Sequence, residues 1–182
     1  MGLTLLIGGA RSGKSVLAVR AAEAHDGPVT FVATAEPRDD EMAARIAQHR
    51  STRPADWDTV EEPIDLTGAI AGAPVHACVI VDCLTLWVAN LLERGSGRED
   101  VEARAMEASE SAAGRVAPVL VVTNEVGSGI VPMHPETRSY RDLMGGVNAI
   151  FARHAEHVLL VVAGRALALP PIEEVLSDVF GR

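Results

Sequence analysis

The sequence predicts an α/β fold with a largely parallel central sheet flanked by helices, and three observations carry that reading. Short apolar, β-prone runs alternate with helical patterns along the chain. Residues 8–15 read Gly-Gly-Ala-Arg-Ser-Gly-Lys-Ser directly after the apolar run 3–7, giving strand, glycine-rich turn and helix in the order a phosphate-binding loop requires. A later apolar run, 77–81, ends on Asp82, an acidic residue at the carboxyl end of a buried strand. At 182 residues, one domain spanning 1–182 is expected, large enough to bury most of a sheet.

The elements follow in order. After the first strand and its turn, a helix is expected over 15–25 and a second strand over 29–33. The next helix, 39–50, is preceded by Pro37 and starts with Asp39, Asp40 and Glu41, which suit the positive end of a helix. Residues 51–63 are polar and turn-rich, with Pro54 and Trp57, and read as a loop. A short helix over 65–71 precedes the strand 77–81, and a helix carrying Leu84, Trp87, Val88, Leu91 and Leu92 follows it. The alanine-rich, polar pattern 101–115 reads as a surface helix. A fourth strand over 119–123, a loop over 124–139, a helix over 141–155 and a strand over 158–163 complete the assignable chain. No role is readable for the tail beyond Gly164, and there is no internal repeat or low-complexity segment.

Composition narrows the function classes. With 25 acidic against 16 basic side chains, the formal charge is −9, which disfavours nucleic acid as a partner. Cys78 and Cys83 lie five apart, matching neither a redox pair nor half a zinc site, so free thiols in a reducing compartment, the cytoplasm, are expected. No run approaches ~18 apolar residues, and the N-terminus lacks the basic region and cleavage site of a signal peptide. His154 and His157 lack the spacing of a helical zinc pair and a third ligand.

The chemistry starts in the phosphate loop. Gly8, Gly9 and Gly13 allow a turn tight enough for the N–H groups of Ala10, Arg11 and Ser12 to surround a phosphate at the positive end of the next helix. Lys14 would reach the β- and γ-phosphates and Ser15 would hold Mg²⁺. A plain strand-to-helix turn would not require Lys-Ser after the last glycine. Asp82 suits the Mg²⁺ shell, or simply caps the next helix. Glu125, at the end of the fourth strand, either orients a nucleophile or caps its own loop. His49 shares a helix face with Met42 and Ile46, which alone suggests a histidine at the edge of the core. Arg50 and Arg53 nearby would attract phosphate and favour a neutral imidazole, whose lone pair can attack phosphorus.

Taken together, these residues resemble the CobU/CobP family of bifunctional cobinamide enzymes. The resemblance covers nearly the whole chain. It rests on the loop 8–15, on Ala33-Thr34, on the acidic helix 39–46 followed by His49, on Arg53-Pro54 with Trp57, on the run Thr123-Asn-Glu-Val-Gly-Ser-Gly-Ile-Val-Pro132, and on Arg141-Asp142 with Gly145 and Asn148. The phosphate loop is common to many NTPases; the acidic helix and the 123–132 run are far more specific.

The resemblance implies a RecA-like P-loop NTPase fold, with mixed strand directions at an edge, and two reactions. A nucleoside triphosphate, ATP or GTP, phosphorylates the aminopropanol hydroxyl of adenosylcobinamide; GTP then donates GMP to that phosphate through a guanylylated histidine, giving adenosylcobinamide-GDP and pyrophosphate. The histidine falls on His49. The implied nucleotide contacts fall on Gly8 to Ser15, on Ala33, Thr34 and Ala35, on Arg50, Ser51, Thr52 and Arg53, on Glu61 as acceptor for the guanine edge, and on Asp82. Lys14 and Glu125 complete the expected catalytic set, with Ser15 and Asp82 as Mg²⁺ ligands. A homo-oligomer is implied, with a trimer as the expected form. Asn148 is followed by Ala149 where relatives often carry glutamine. A different small-molecule kinase or a non-enzymatic GTP-binding switch would use Lys14, Ser15 and Asp82 equally well, but would give no reason for His49 beside two arginines.

Overall fold

A computed structural model describes residues 2–51 and 53–181. The chain runs β1 (Leu3–Gly8), α1 (Lys14–Glu23), β2 (Val29–Ala33), α2 (Asp40–Ser51), β3 (Asp58–Glu61), α3 (Leu66–Gly72), β4 (Cys78–Asp82), α4 (Leu84–Glu93), α5 (Arg98–Ala113), β5 (Val119–Asn124), α6 (Pro135–His154), β6 (His157–Val162), β7 (Arg165–Ala168) and α7 (Ile172–Phe180). The strands form one sheet in the order β3-β2-β4-β5-β1-β6-β7. Every neighbouring pair is parallel except β6 and β7, whose antiparallel hairpin supplies the mixed edge.

Alternation along the strands builds two core layers, because successive side chains point to opposite faces. Leu3 and Leu5 of β1, Val79 and Val81 of β4, and Val119 and Val121 of β5 pack against Trp87, Met144 and Phe151 on one face. Leu6, Phe31, Ile80, Leu120 and Val122 form the other layer beneath Ala18 and Ala22 of α1. The small alanines let α1 lie close to the sheet, which fixes where its N-terminus, and therefore the phosphate loop, stands.

The structure departs from the expected elements in four places. The region read as a loop contains β3, which pairs with β2 as a parallel edge strand from Thr30 opposite Asp58 to Ala33 opposite Glu61. The helix expected on the surface, α5, buries Val101, Ala105, Ala108 and Ala112 completely. Small side chains at that spacing line one helical face and let α5 pack against α6. That second helix starts at Pro135, six residues before the expected start at Arg141; proline lacks an N–H, which a first-turn position does not use. Beyond Gly164 the tail forms β7 and α7, and α7 leaves Ile172, Val179 and Phe180 each about two-thirds exposed. Cys78 and Cys83 are both free thiols. Among the described residues no helix is long and apolar enough to cross a membrane, and no group of three or more His, Cys, Asp or Glu side chains is arranged to hold a metal. His154 instead shares a hydrogen bond with the Ser109 hydroxyl at 2.8 Å.

Candidate active site

The loop after β1 is held from several sides. Gly8 packs so closely on β6 that a Cβ would lie 2.2 Å from the Val161 carbonyl oxygen. Gly13 has φ +104, a left-handed conformation that glycine adopts without penalty. The Gly164 N–H, in the turn between β6 and β7, donates to the Ser12 carbonyl at 2.8 Å. Lys14 turns its ammonium into this loop and donates to the Gly8 and Gly9 carbonyls at 2.9 and 2.7 Å. Only 6% of Lys14 is exposed. Burial lowers its pKa, and the neighbouring Cys83 and Asp82 oppose that shift. The carbonyls occupy the donors that an incoming phosphate would take, so Lys14 is already aimed at the anion position.

Asp82 ends β4, two strands away across β5, and its side chain is 13% exposed. The cis Asp82-Cys83 peptide is clasped by Thr34. The Thr34 hydroxyl accepts from the Cys83 N–H and donates to the Cys83 carbonyl, both at 2.8 Å, and the Thr34 N–H donates to the Asp82 carbonyl at 3.1 Å. Thr34 is wholly buried, and it fastens the floor of the site where a nucleotide contact was expected; Ala33 and Ala35 on either side face the cleft. Asn90, also buried, donates from Nδ2 to the carbonyls of Thr34 at 2.7 Å and Pro63 at 3.1 Å.

Over this floor lies α2. It has no buried residue, and its Met42, Arg45, Ile46 and His49, at i, i+3, i+4 and i+7, face a cleft of about 390 Å³ shared with the phosphate loop and Asp82. The apolar stripe that suggested a core edge therefore lines a cavity. His49 Nδ1 stands 3.9 Å from Asp82 Oδ2, with its side chain 45% exposed. Arg53 also lines the cleft and stacks over the Phe31 ring at 3.5 Å, an arrangement that leaves its edge free for an anion. Burial lowers the Arg53 pKa and Asp82 raises it.

Not every expected residue reaches this cleft. Arg50 pairs with Glu61 at 3.3 Å on the exposed rim beyond it. The Ser51 hydroxyl donates to the Gln48 carbonyl at 2.9 Å, closing the end of its own helix. Thr52 lies outside the described residues. Glu125 accepts from the Gly127 and Ser128 N–H groups at 2.7 and 3.0 Å, which is its loop-capping reading. Hydrogen bonds from Ser128 and Gly127 keep its carboxyl below the usual range. Asn148 accepts from Thr123 Oγ1 at 2.7 Å and donates to the Asn124 carbonyl at 3.0 Å, tying α6 to the end of β5. Arg141 and Asp142 pair with each other at 3.0 Å. Sequence reasoning missed Arg45, although its position four residues before His49 on the same face was a usable signal.

A divalent cation fits the residues present. The Ser15 hydroxyl and the Asp82 carboxylate face one cleft, and both are hard oxygen donors. So small a protein donor set suits Mg²⁺, which completes its shell with phosphate and water.

The family model described as cobinamide kinase / cobinamide phosphate guanyltransferase matches residues 4–169. The chain is 42% identical over 171 residues to the bifunctional adenosylcobalamin biosynthesis protein CobP of Pseudomonas aeruginosa, covering 91% of this chain and 95% of that protein. It is 41% identical over 178 residues to the bifunctional adenosylcobalamin biosynthesis protein CobU of Escherichia coli, covering 89% and 96%. Among solved structures it is similar to a prototypical ATPase from the type III secretion system of pathogenic bacteria, with a TM-score of 0.58 at 9% identity. That match covers 98% of this chain and 61% of the ATPase chain. A protein of Pyrococcus horikoshii OT3 matches with a TM-score of 0.53 at 10% identity, covering 92% and 85%. At such identities the two structures support the mostly parallel, helix-flanked fold alone.

Proposed function

The chain belongs to the cobinamide kinase / cobinamide phosphate guanyltransferase family, and from that premise we propose that one cleft serves both reactions. The observation that carries this is the meeting of His49 on α2 with Lys14, Ser15 and Asp82 around one cavity. A kinase alone, or a nucleotide switch, has no use for an imidazole at that place.

In the kinase step the aminopropanol hydroxyl of adenosylcobinamide attacks the γ-phosphorus of ATP or GTP, the bond from that phosphorus to the β–γ bridging oxygen breaks, the nucleoside diphosphate leaves with the electron pair, and the hydroxyl proton passes to solvent. Lys14 exchanges its carbonyl partners for phosphate oxygens, and the N–H groups of the loop Gly8 to Ser15 stabilise the charge that moves onto them. In guanylyl transfer the α-phosphorus of GTP lies beneath α2, His49 attacks it, and pyrophosphate leaves. Adenosylcobinamide phosphate then takes the GMP, giving adenosylcobinamide-GDP. Arg53 and Arg45, both on the cleft wall, supply positive charge on the α2 side. Glu61, at the rim beside Arg50, accepts from guanine N1 and its exocyclic amine, which adenine cannot match. Glu125 holds the loop after β5 in shape as a positioning residue. Mg²⁺, held by Ser15 and Asp82, would neutralise charge on the phosphates.

We place the enzyme in the cytoplasm as a single catalytic domain, in keeping with its free thiols. The exposed apolar residues of α7 support a homo-oligomer, with a trimer as the form to test. Incubation with α-labelled GTP is the deciding experiment. Acid-labile, alkali-stable label on His49 is expected, discharged by adenosylcobinamide phosphate. Absence of label, with nucleotide still bound, overturns the transferase assignment.

A further inference from the structure

Building on the proposed guanylyl transfer, we propose that Asp82 is the positioning residue for His49, holding the imidazole by Nδ1 so that Nε2 forms the bond to phosphorus.

The geometry is specific about which nitrogen faces the carboxylate. His49 Nδ1 stands 3.9 Å from Asp82 Oδ2, and both side chains line the same cleft. A small rotation of the half-exposed ring closes that gap to hydrogen-bonding distance. A neutral imidazole carries one proton, and the partner of one ring nitrogen decides where it resides. An acceptor opposite Nδ1 keeps the proton there and leaves the lone pair on Nε2. Asp82 is itself firmly placed: Thr34 clasps the peptide that follows it, and Asn90 holds Thr34. His49, by contrast, rides on a helix without a buried residue. The Asp82 main chain is therefore the fixed side of the pair, and its carboxylate, 13% exposed, selects the orientation of the ring.

The covalent step balances without further reagents. The Nε2 lone pair attacks the α-phosphorus of GTP, and the bond from that phosphorus to the oxygen bridging to the β-phosphate breaks. Pyrophosphate departs with the electron pair. The ring keeps its Nδ1 proton and becomes a cationic phosphoramidate, whose charge Asp82 Oδ2 faces. When an oxygen of adenosylcobinamide phosphate attacks the same phosphorus, the P–Nε2 bond breaks and the neutral ring returns. A carboxylate carries two oxygens, so facing the ring through Oδ2 does not bar Asp82 from a cation shell.

Two measurements test this. In the ligand-free protein, long-range proton–nitrogen NMR of the neutral His49 ring should find the proton on Nδ1, and in Asp82→Ala the ring should shift towards the Nε2–H form preferred by an unconstrained histidine side chain. Unchanged signals from His25 and His154 establish that the variant is folded. After reaction with GTP, phosphorus–proton correlation on the adduct should place GMP on Nε2. A wild-type proton on Nε2, a tautomer unaffected in folded Asp82→Ala, or GMP on Nδ1 overturns the proposal while leaving His49 as nucleophile. No adduct on His49 overturns the transferase reading instead, and the tautomer in the ligand-free protein still decides whether Asp82 orients the ring. Should Asp82→Ala not fold, the wild-type tautomer and the adduct regiochemistry decide alone.

Discussion

The phosphate loop and helix α2 face each other across one cleft, yet they are built on opposite principles. The loop is fastened from β6, from the β6–β7 turn and by its own lysine, and the helix it leads into is pinned to the sheet through Ala18 and Ala22. Helix α2 has no fully buried residue; its ties include the rim pair Arg50–Glu61 and the approach of His49 to Asp82. Segments with few buried contacts open at low free-energy cost. The contrast teaches how one nucleotide site can serve two bond-breaking events. Under the proposed mechanism the γ-phosphate is gripped by the fastened loop, while His49, the nucleophile at the α-phosphate, rides on the helix with fewer buried contacts.

The largest effect expected from this division belongs to His49→Ala, which should abolish covalent GMP and guanylyl transfer while leaving cobinamide phosphorylation measurable. Equal loss of both activities would break the comparison. Lys14→Ala acts on the shared side and should depress both rates by about 3 kcal/mol, on the order of 100- to 1,000-fold. Near-wild-type turnover in either assay would refute a common phosphate grip. Glu61→Gln, at the rim, should lower preference for GTP over ATP in the transferase step by roughly 10-fold, the scale of one hydrogen bond to a charged group. Its melting should hardly change, since exposed ion pairs contribute about 0–1 kcal/mol. Hydrogen exchange sharpens the contrast directly: amides of α2 should exchange at least about 10-fold faster than those of α1, and bound GTP should narrow the gap.

A smaller effect comes from the thiols. Burial pushes both Cys78 and Cys83 up to about 11 from the ordinary 9.0. Each therefore binds its proton more tightly folded than unfolded, so this contribution to stability is complete below pH 9.0 and declines as pH rises towards 11. Chemical denaturation across that interval should show the decline, and iodoacetamide at neutral pH should modify the thiols rapidly only once the chain is unfolded.

Much of this arrangement was legible before any coordinates. Strong apolar runs such as 77–81 announced themselves, and β2 occupies the residues expected of it. The missed strand β3 reads Asp-Thr-Val-Glu, too short and polar to show a pattern; its pairing with β2 gives it its form. For α5 the signal existed, Val101, Ala105, Ala108 and Ala112 at helical spacing, but alanine reads as surface unless one asks what a close neighbour would need. Pro135 was likewise a usable mark for the start of α6. Within the site, the phosphate loop carries its chemistry in its spacing, whereas Asp82 reads equally as a helix cap and His49 takes its role as nucleophile from the family resemblance. Thr34 carries no such signal: its hydroxyl is engaged by a peptide 49 residues away, a partner that only tertiary structure supplies. Asn90 is hidden for the same reason, bonded to carbonyls of two separate segments.

The hydrogen bond from Gly164 to Ser12 has a practical consequence for anyone shortening this polypeptide. A truncation at Ala163 removes the brace behind the phosphate loop together with the edge strand β7, so a chain clipped there should bind triphosphate poorly even though residues 8–15 are intact. Deletions that spare the loop belong after Ala168, where the antiparallel edge has already been completed, although they remove the α7 face proposed for self-association.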